Sequence, residues 1–187
     1  MFTTRESIVS FLEAVCAEFR GPGILYLVGE SSLVVEGRRD FCTEVIVAGL
    51  VGEDDYPVFC EAVDVAASGV GLTVSIEHPR DVIPLPEGYE DRARVLSDWP
   101  DGCDGQLSIR HFDPYSVAVR FVARGDEPDY DLVLAFLEFG WITMKELNAI
   151  ALDLLPRFSF ETIQQDPAEF RRKLKGLQQM WRAHAVE

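Results

Sequence analysis

The apolar residues of this chain change their period near residue 113. Before it they fall in short runs: "ILYLV" at 24–28, "TEVIVAGLV" at 43–51, "GLTVSIEH" at 71–78 and "QLSIRHF" at 106–112. Runs of this length, bounded by glycine, proline and aspartate, are strand-sized. After it they recur every three or four residues, as in Phe170, Leu174, Leu177 and Trp181. That is the spacing of one helix face. Strands gathered early and helices gathered late predict an α+β fold. Its parts are a mixed β-sheet with covering helices, then a C-terminal helical segment. The expected division is an α/β core over 1–112 and a helical segment over 113–187 packed on it, forming one compact unit. At 187 residues the chain is long enough to bury a core of that size.

Local signals sharpen this outline. Ile8, Phe11, Leu12, Val15 and Phe19 predict a helix from Thr3 to Arg20, with Thr3 and Glu6 at capping-box spacing. The "GPG" at 21–23 ends it. One or two helical turns are expected over Ser31–Val35, and a helix over Pro57–Ala67 with proline in its first turn. The prolines after residue 80 predict a loop that becomes extended or helical near Arg92–Leu96, and "DGCDG" at 101–105 predicts a turn. Asp113-Pro114 reads as an N-cap followed by a first-turn proline, opening a helix to about Arg124. "EPDYDLVLAFLEFG" is a second helix, ended by Gly140. Thr143 and Glu146 form another capping box, opening a helix through about Leu155. Asp166-Pro167 starts the last one.

Charge and cysteines narrow the function classes. Seventeen Lys/Arg against thirty-two Asp/Glu give a net charge of −15, which disfavours nucleic acid because phosphate contacts need a positive surface. The exception is 166–187, with five basic and three acidic residues. That tail either meets an acidic partner or docks on the acidic body; its apolar stripe favours docking. No apolar run is long enough to span a bilayer. "MFTTRESIVSFLEAV" has no signal-peptide pattern. Cys16, Cys42, Cys60 and Cys103 show no metal or redox spacing. Cys16 and Cys60 read as buried thiols, and the expected compartment is a reducing cytoplasm.

The stretch "YLVGESSLVVEGRRDFCTEVIV" (26–47) resembles the opening of nucleotidyltransferase-fold proteins related to the AbiEii toxin group and the DUF6036 family. "IEHPRDVIPLPEGYEDR", "LSIRHFDPYSVAVRFVARG" and "DYDLVLAFLEFGWITMKEL" resemble the same group in the same order, so the likeness covers about residues 4–155. The resemblance implies a nucleotidyltransferase-like sheet. It also implies a glycine pair that lets backbone approach a triphosphate, a nearby hydroxyl, and two alternate aspartates holding divalent metals. Hard oxygen ligands suit Mg²⁺, which would position the nucleotide and offset charge in an in-line displacement.

Carried over residue by residue, Gly29 matches the first glycine and Glu30 stands in place of the second. Ser31 matches the hydroxyl, Gly37 and Arg38 the turn and its arginine, and Thr43 the threonine before the metal strand. The two aspartates fall on Val45 and Val47, and Glu77 is the remnant of a third carboxylate. Alternation along a strand would turn Glu44 away if Val45 and Val47 faced the site. A one-residue slip would bring Glu44 in and put Ile46 at the second ligand position. Glu30 would repel phosphate with nothing to offset it.

The resemblance therefore implies a catalytically inactive module that acts by binding or regulation, in a toxin–antitoxin or defence setting. A protein partner is expected, and a homodimer is possible through the Trp181 stripe. No cofactor is expected. The alternative is an active metal-dependent enzyme using displaced carboxylates, which would need Mg²⁺ and a nucleoside triphosphate. The resemblance further suggests that Arg124 pairs with Asp131, as a structural bridge or in ligand binding. His78 and His111 end two strands. They are surface-edge residues or, with Glu77, a metal cluster. No nucleophile elbow or phosphate-binding glycine loop of known spacing is present. Trp99, Trp141 and Trp181 read as packing residues.

Overall fold

The computed structural model describes residues 2–97, 99, 106–161 and 166–184. They form a mixed α+β structure that resolves into two compact units. One unit is Met1–His78 with Ala93–Phe112, and the other is Pro79–Arg92 with Asp113–Glu187. The chain thus switches at Phe112–Asp113, where the period of its apolar residues changes. The segment Pro79–Arg92, expected within the core, groups instead with the helices.

The first unit runs β1 (Thr3–Thr4), α1 (Arg5–Glu18), β2 (Gly23–Val28), α2 (Glu30–Val35), β3 (Phe41–Cys42), β4 (Val45–Val51), α3 (Tyr56–Val70), β5 (Val74–Ile76), β6 (Arg94–Val95) and β7 (Leu107–His111). Five strands make a mixed sheet in the order β5-β4-β2-β7-β6. β2 is antiparallel to β4, with Leu27 opposite Val47, and parallel to β7, with Leu25 opposite Ile109. β4 and β5 are parallel, and β6 and β7 antiparallel. β1 and β3 pair separately. One face of the sheet carries Leu25, Leu27, Val45, Val47, Leu107 and Ile109. This face shares a core with Phe11, Leu12 and Val15 of α1 and Phe59, Val63 and Ala66 of α3. Burying a side chain of this kind contributes roughly 1.5–3 kcal/mol, and together these residues hold the sheet against α1 and α3.

Several boundaries differ from the sequence reading, each for a local reason. Thr3 joins β1 opposite Cys42, so the N-cap moves one residue on, to Thr4, α1 begins at Arg5, and the Thr3–Glu6 box does not form. α3 runs on to Val70 because Gly71, at φ 70°, supplies the left-handed closing residue. β5 is three residues, Val74–Ile76, shorter than the expected 71–78. The stretch near Arg92–Leu96 is extended and forms the edge strand β6. The expected turn at 101–105 lies outside the described residues.

The second unit begins with one 3₁₀ turn at Pro79–Asp81. It continues as α4 (Pro114–Arg124), α5 (Glu127–Glu138), α6 (Met144–Glu161) and α7 (Pro167–His184). Every residue from Pro114 to Ala123 is buried, so α4 is the central helix of this unit. α6 passes through Pro156 instead of stopping before it. The lost hydrogen bond is outweighed by burial of Leu154, Leu155 and Phe158, whose ring meets Phe170 of α7 edge-on at 4.9 Å.

The start of α4 is built around a buried carboxylate. Asp113 accepts from the Tyr115 and Ser116 N–H groups and from Ser116 Oγ at 2.7 Å. Arg92 adds a bidentate pair, Nε at 3.0 Å and the terminal nitrogen at 2.9 Å. Asp113 raises the Arg92 pKa further still. Arg92 also donates to the Glu87 carbonyl, which ties the 79–92 segment to α4. The Tyr115 hydroxyl donates to Glu146 and accepts from the Thr143 N–H. In the second capping box the Glu146 N–H still donates to Thr143 Oγ1, while the Glu146 side chain serves Tyr115.

Replacing Asp113 by alanine is expected to destabilise the helical unit by about 3 kcal/mol or more, because a cap is lost and a half-buried guanidinium is left without its partner. Asp113→Asn keeps the cap and should cost less. Urea unfolding followed by far-UV circular dichroism measures both.

Candidate functional site

The sequence motif converges on the end of β2, where Gly29 turns the chain into α2. Gly29 has φ 81° and ψ −132°, a conformation that side chains rarely adopt. Ser31 and Ser32 follow on α2 and are buried. Ser31 Oγ donates to the Val28 carbonyl at 3.4 Å and Ser32 Oγ to the Leu27 carbonyl at 3.3 Å. Both hydroxyls therefore bind back onto β2, and Ser31 does not present its hydroxyl to a ligand.

Glu30 is not the uncompensated charge that the sequence suggested. Its carboxylate accepts from Arg39 at 2.5 Å and from the Thr43 N–H at 3.3 Å. It thereby clips the first turn of α2 to the loop that leads into β4. Gly37, with φ 65°, closes α2. Arg38 is exposed, and its N–H returns to the Leu33 carbonyl at 2.8 Å. The useful guanidinium is thus the next one along, which spacing alone could not select.

The alternation of β4 also departs from the motif reading. Val45 and Val47 are fully buried in the core shared with α1 and α3. The opposite face carries Glu44 and Ile46, with Ser75 beside Ile46 on β5. Glu44 is exposed and accepts from Ser75 Oγ at 2.6 Å. Glu77 is half-buried just past β5, its N–H on the Val47 carbonyl. Of the acids considered, Glu44 comes nearest, exposed one residue before β4, and the next position on its side of the strand is the buried Ile46.

His111 is a buried residue of β7 rather than a surface-edge histidine. Its Nε2 lies 2.8 Å from Glu36 Oε1, which also accepts from the Ser97 N–H. These bonds, led by the one to His111, hold the Glu36 pKa down at about 2. His78 instead meets Phe112 edge-on at 5.2 Å. Among the described residues no three His, Cys, Asp or Glu side chains gather as a metal cluster. Burial, and then Glu30, push the Cys42 thiol up to about 11, so it is a poor nucleophile. Cys42 and Cys60 are free, but Cys16 is disulfide-bonded rather than a buried thiol. Disulfides are uncommon in a reducing cytoplasm, so the cysteines lend that expected location no support. Cys103 lies outside the described residues.

In the second unit Arg124 binds Asp129, not the expected Asp131. Arg124 Nε donates to Asp129 Oδ2 at 2.8 Å and its terminal nitrogen to Oδ1. Asp129 is buried at the third position of α5, where it also accepts the Asp126 N–H. Asp131 is exposed. The pairing is a helix-start device rather than a ligand site. Trp141 stacks on Phe136 at 5.2 Å and Trp99 packs against the first unit's core, whereas Trp181 is only half-buried. No helix among the described residues is long and apolar enough to cross a membrane. Comparison of the chain with family models, with curated proteins and with solved structures returns no match.

The Glu36–His111 pair has a pH signature. A carboxylate with a lowered folded-state pKa stabilises fully above its ordinary value of 4.5 and loses that contribution as pH falls towards 2. Glu36→Gln should therefore flatten the stability profile in that window, with a difference from wild type of about 2 kcal/mol. Urea midpoints measured across the window for both proteins test this.

Proposed function

We propose that this chain is a nucleotidyltransferase-like protein without nucleotidyl-transfer activity, acting as a binding or regulatory module for a protein partner. The order of elements supports the fold half of that reading. A strand, a short helix, an antiparallel neighbour, a longer helix and a third parallel strand follow one another from β2 to β5. The likeness quoted from the sequence begins at the same β2. A toxin–antitoxin or defence setting is part of the proposal and follows from the resemblance alone.

The observation that carries the loss of catalysis is the make-up of β4. Two divalent metals need at least a pair of carboxylates on one face of the strand. If the motif register is taken, the pair is Val45 and Val47. If the face away from the core is taken, it is Glu44 and Ile46. Neither choice yields two oxygen ligands on alternate residues. The Glu30 carboxylate, held by Arg39, fills the position where the second glycine would leave room for phosphate. The competing reading is a working enzyme that uses Glu44 and Glu77 as displaced ligands; Glu44, exposed one residue before β4, is the observation in its favour.

Calorimetric titration of the full chain with Mg-ATP, Mg-CTP, Mg-GTP and Mg-UTP is expected to give no binding in the micromolar range. Incubation with labelled nucleotides is expected to leave RNA and protein unlabelled. Magnesium-dependent micromolar binding with label transfer, abolished by Glu44→Ala or Glu77→Ala, would establish the competing reading instead.

A further inference from the structure

The basic character of the C-terminal stretch is concentrated in one place. Arg171, Lys175 and Arg182 lie on α7 at spacings of four and seven residues, an exposed stripe roughly 16 Å long. They line a groove of about 280 Å³ between α6 and α7, walled on the α6 side by Asn148 and Leu152. Among the described residues no carboxylate lines it. Their neighbours are engaged elsewhere: Arg172 and Lys173 pair with Glu169, and Lys173 also donates to the Ala123 and Arg124 carbonyls. Arg171, Lys175 and Arg182 have no ion-pair or hydrogen-bond partner among the described residues. Between the charges sits Leu152, which is 49% exposed. Gln178 donates to Asn148 at 2.8 Å and holds the two helices together beneath the groove.

Three unpaired cations on one groove are out of place in a chain of net charge −15. Held side by side they repel one another, and nothing in the described fold offsets them. An acidic ligand would. An apolar residue of α6 beside a row of cations on its antiparallel neighbour α7 suits the apolar stripe of a third helix. We propose that the α6–α7 groove receives an acidic amphipathic helix of a protein partner. Its carboxylates would meet Arg171, Lys175 and Arg182, and an apolar side chain would cover Leu152. A nucleic acid fits less well. Its phosphates would face the field of a strongly acidic chain, and no aromatic side chain lines the groove for bases to stack on. The proposal gives the binding-module reading a partner class, yet it stands on α6 and α7 alone. The nucleotide titrations probe β4 and the end of β2, so either idea can fail without the other.

The probe is a labelled synthetic helix of ~18 residues with leucines three and four apart and glutamates flanking them. Fluorescence anisotropy with the full chain should show saturable binding that weakens with salt. Replacing the glutamates by glutamine should weaken it at least tenfold. The variant R171E/K175E/R182E should lose at least as much while keeping the wild-type circular dichroism spectrum, since all three residues are exposed. R171K/R182K should retain binding. Equal binding by the reversed variant, equal binding of the glutamine peptide, or no binding of the glutamate peptide overturns the proposal. So does tighter binding of a single-stranded RNA of similar length. A concentration-dependent dimer that the reversed variant abolishes would assign the groove to a second copy of this chain and equally overturn it.

Discussion

Side chains alternate along β4, and the face given to the core decides what the other face can do. Val45 and Val47 are drawn inward by α1 and α3, the two long helices of the first seventy residues. Once they are buried, Glu44 and Ile46 must point the opposite way. A shift by one residue would place an acid in the apolar core shared with α1 and α3. Moving an unpaired carboxylate out of water costs far more than any single contact on that strand could return. The register is thus fixed by the hydrophobic effect, and the chemistry available at the site is a consequence of it.

The helical unit is organised by a different principle. Two of its helices begin at buried carboxylates that satisfy backbone N–H groups and hold a guanidinium at the same time. Asp113 does this for α4 with Arg92, and Asp129 for α5 with Arg124. Each arrangement joins a polar requirement of the backbone to a contact between separate segments. Apolar packing of Phe136, Phe158 and Phe170 fills the interior. The ion pairs choose which helix end meets which neighbour.

Much of the fold was legible in the sequence because it depends on local signals. The change of period near Asp113 falls where β7 gives way to α4. The proline and aspartate before α4 marked its start, and Gly140 marked the end of α5, whereas the closing role of Gly71 after α3 was not read. The site was less legible. Arg38 and Arg39 are adjacent and chemically alike, and only the left-handed turn at Gly37 determines which one reaches Glu30. Asp129 and Asp131 differ by two positions on one helix, and only the geometry of its first turn puts the former under Arg124. The pairing of Glu36 with His111 spans 75 residues, a separation at which no spacing rule operates. The facing of β4 was the costliest ambiguity: a run of four apolar residues, Val45 to Ala48, hides its own alternation.

Lys173 connects the last helix to the middle of the unit. Its ammonium group caps the final carbonyls of α4, and its stem lies where a side chain at Gly125 would have to go, within 2.8 Å of a β-carbon built there. The tail of the chain is therefore an internal support for α4. A protease cut between α6 and α7, or a stop codon ahead of Lys173, would do more than trim the end. It would strip the central helix of its closing cation and open Phe158 to water.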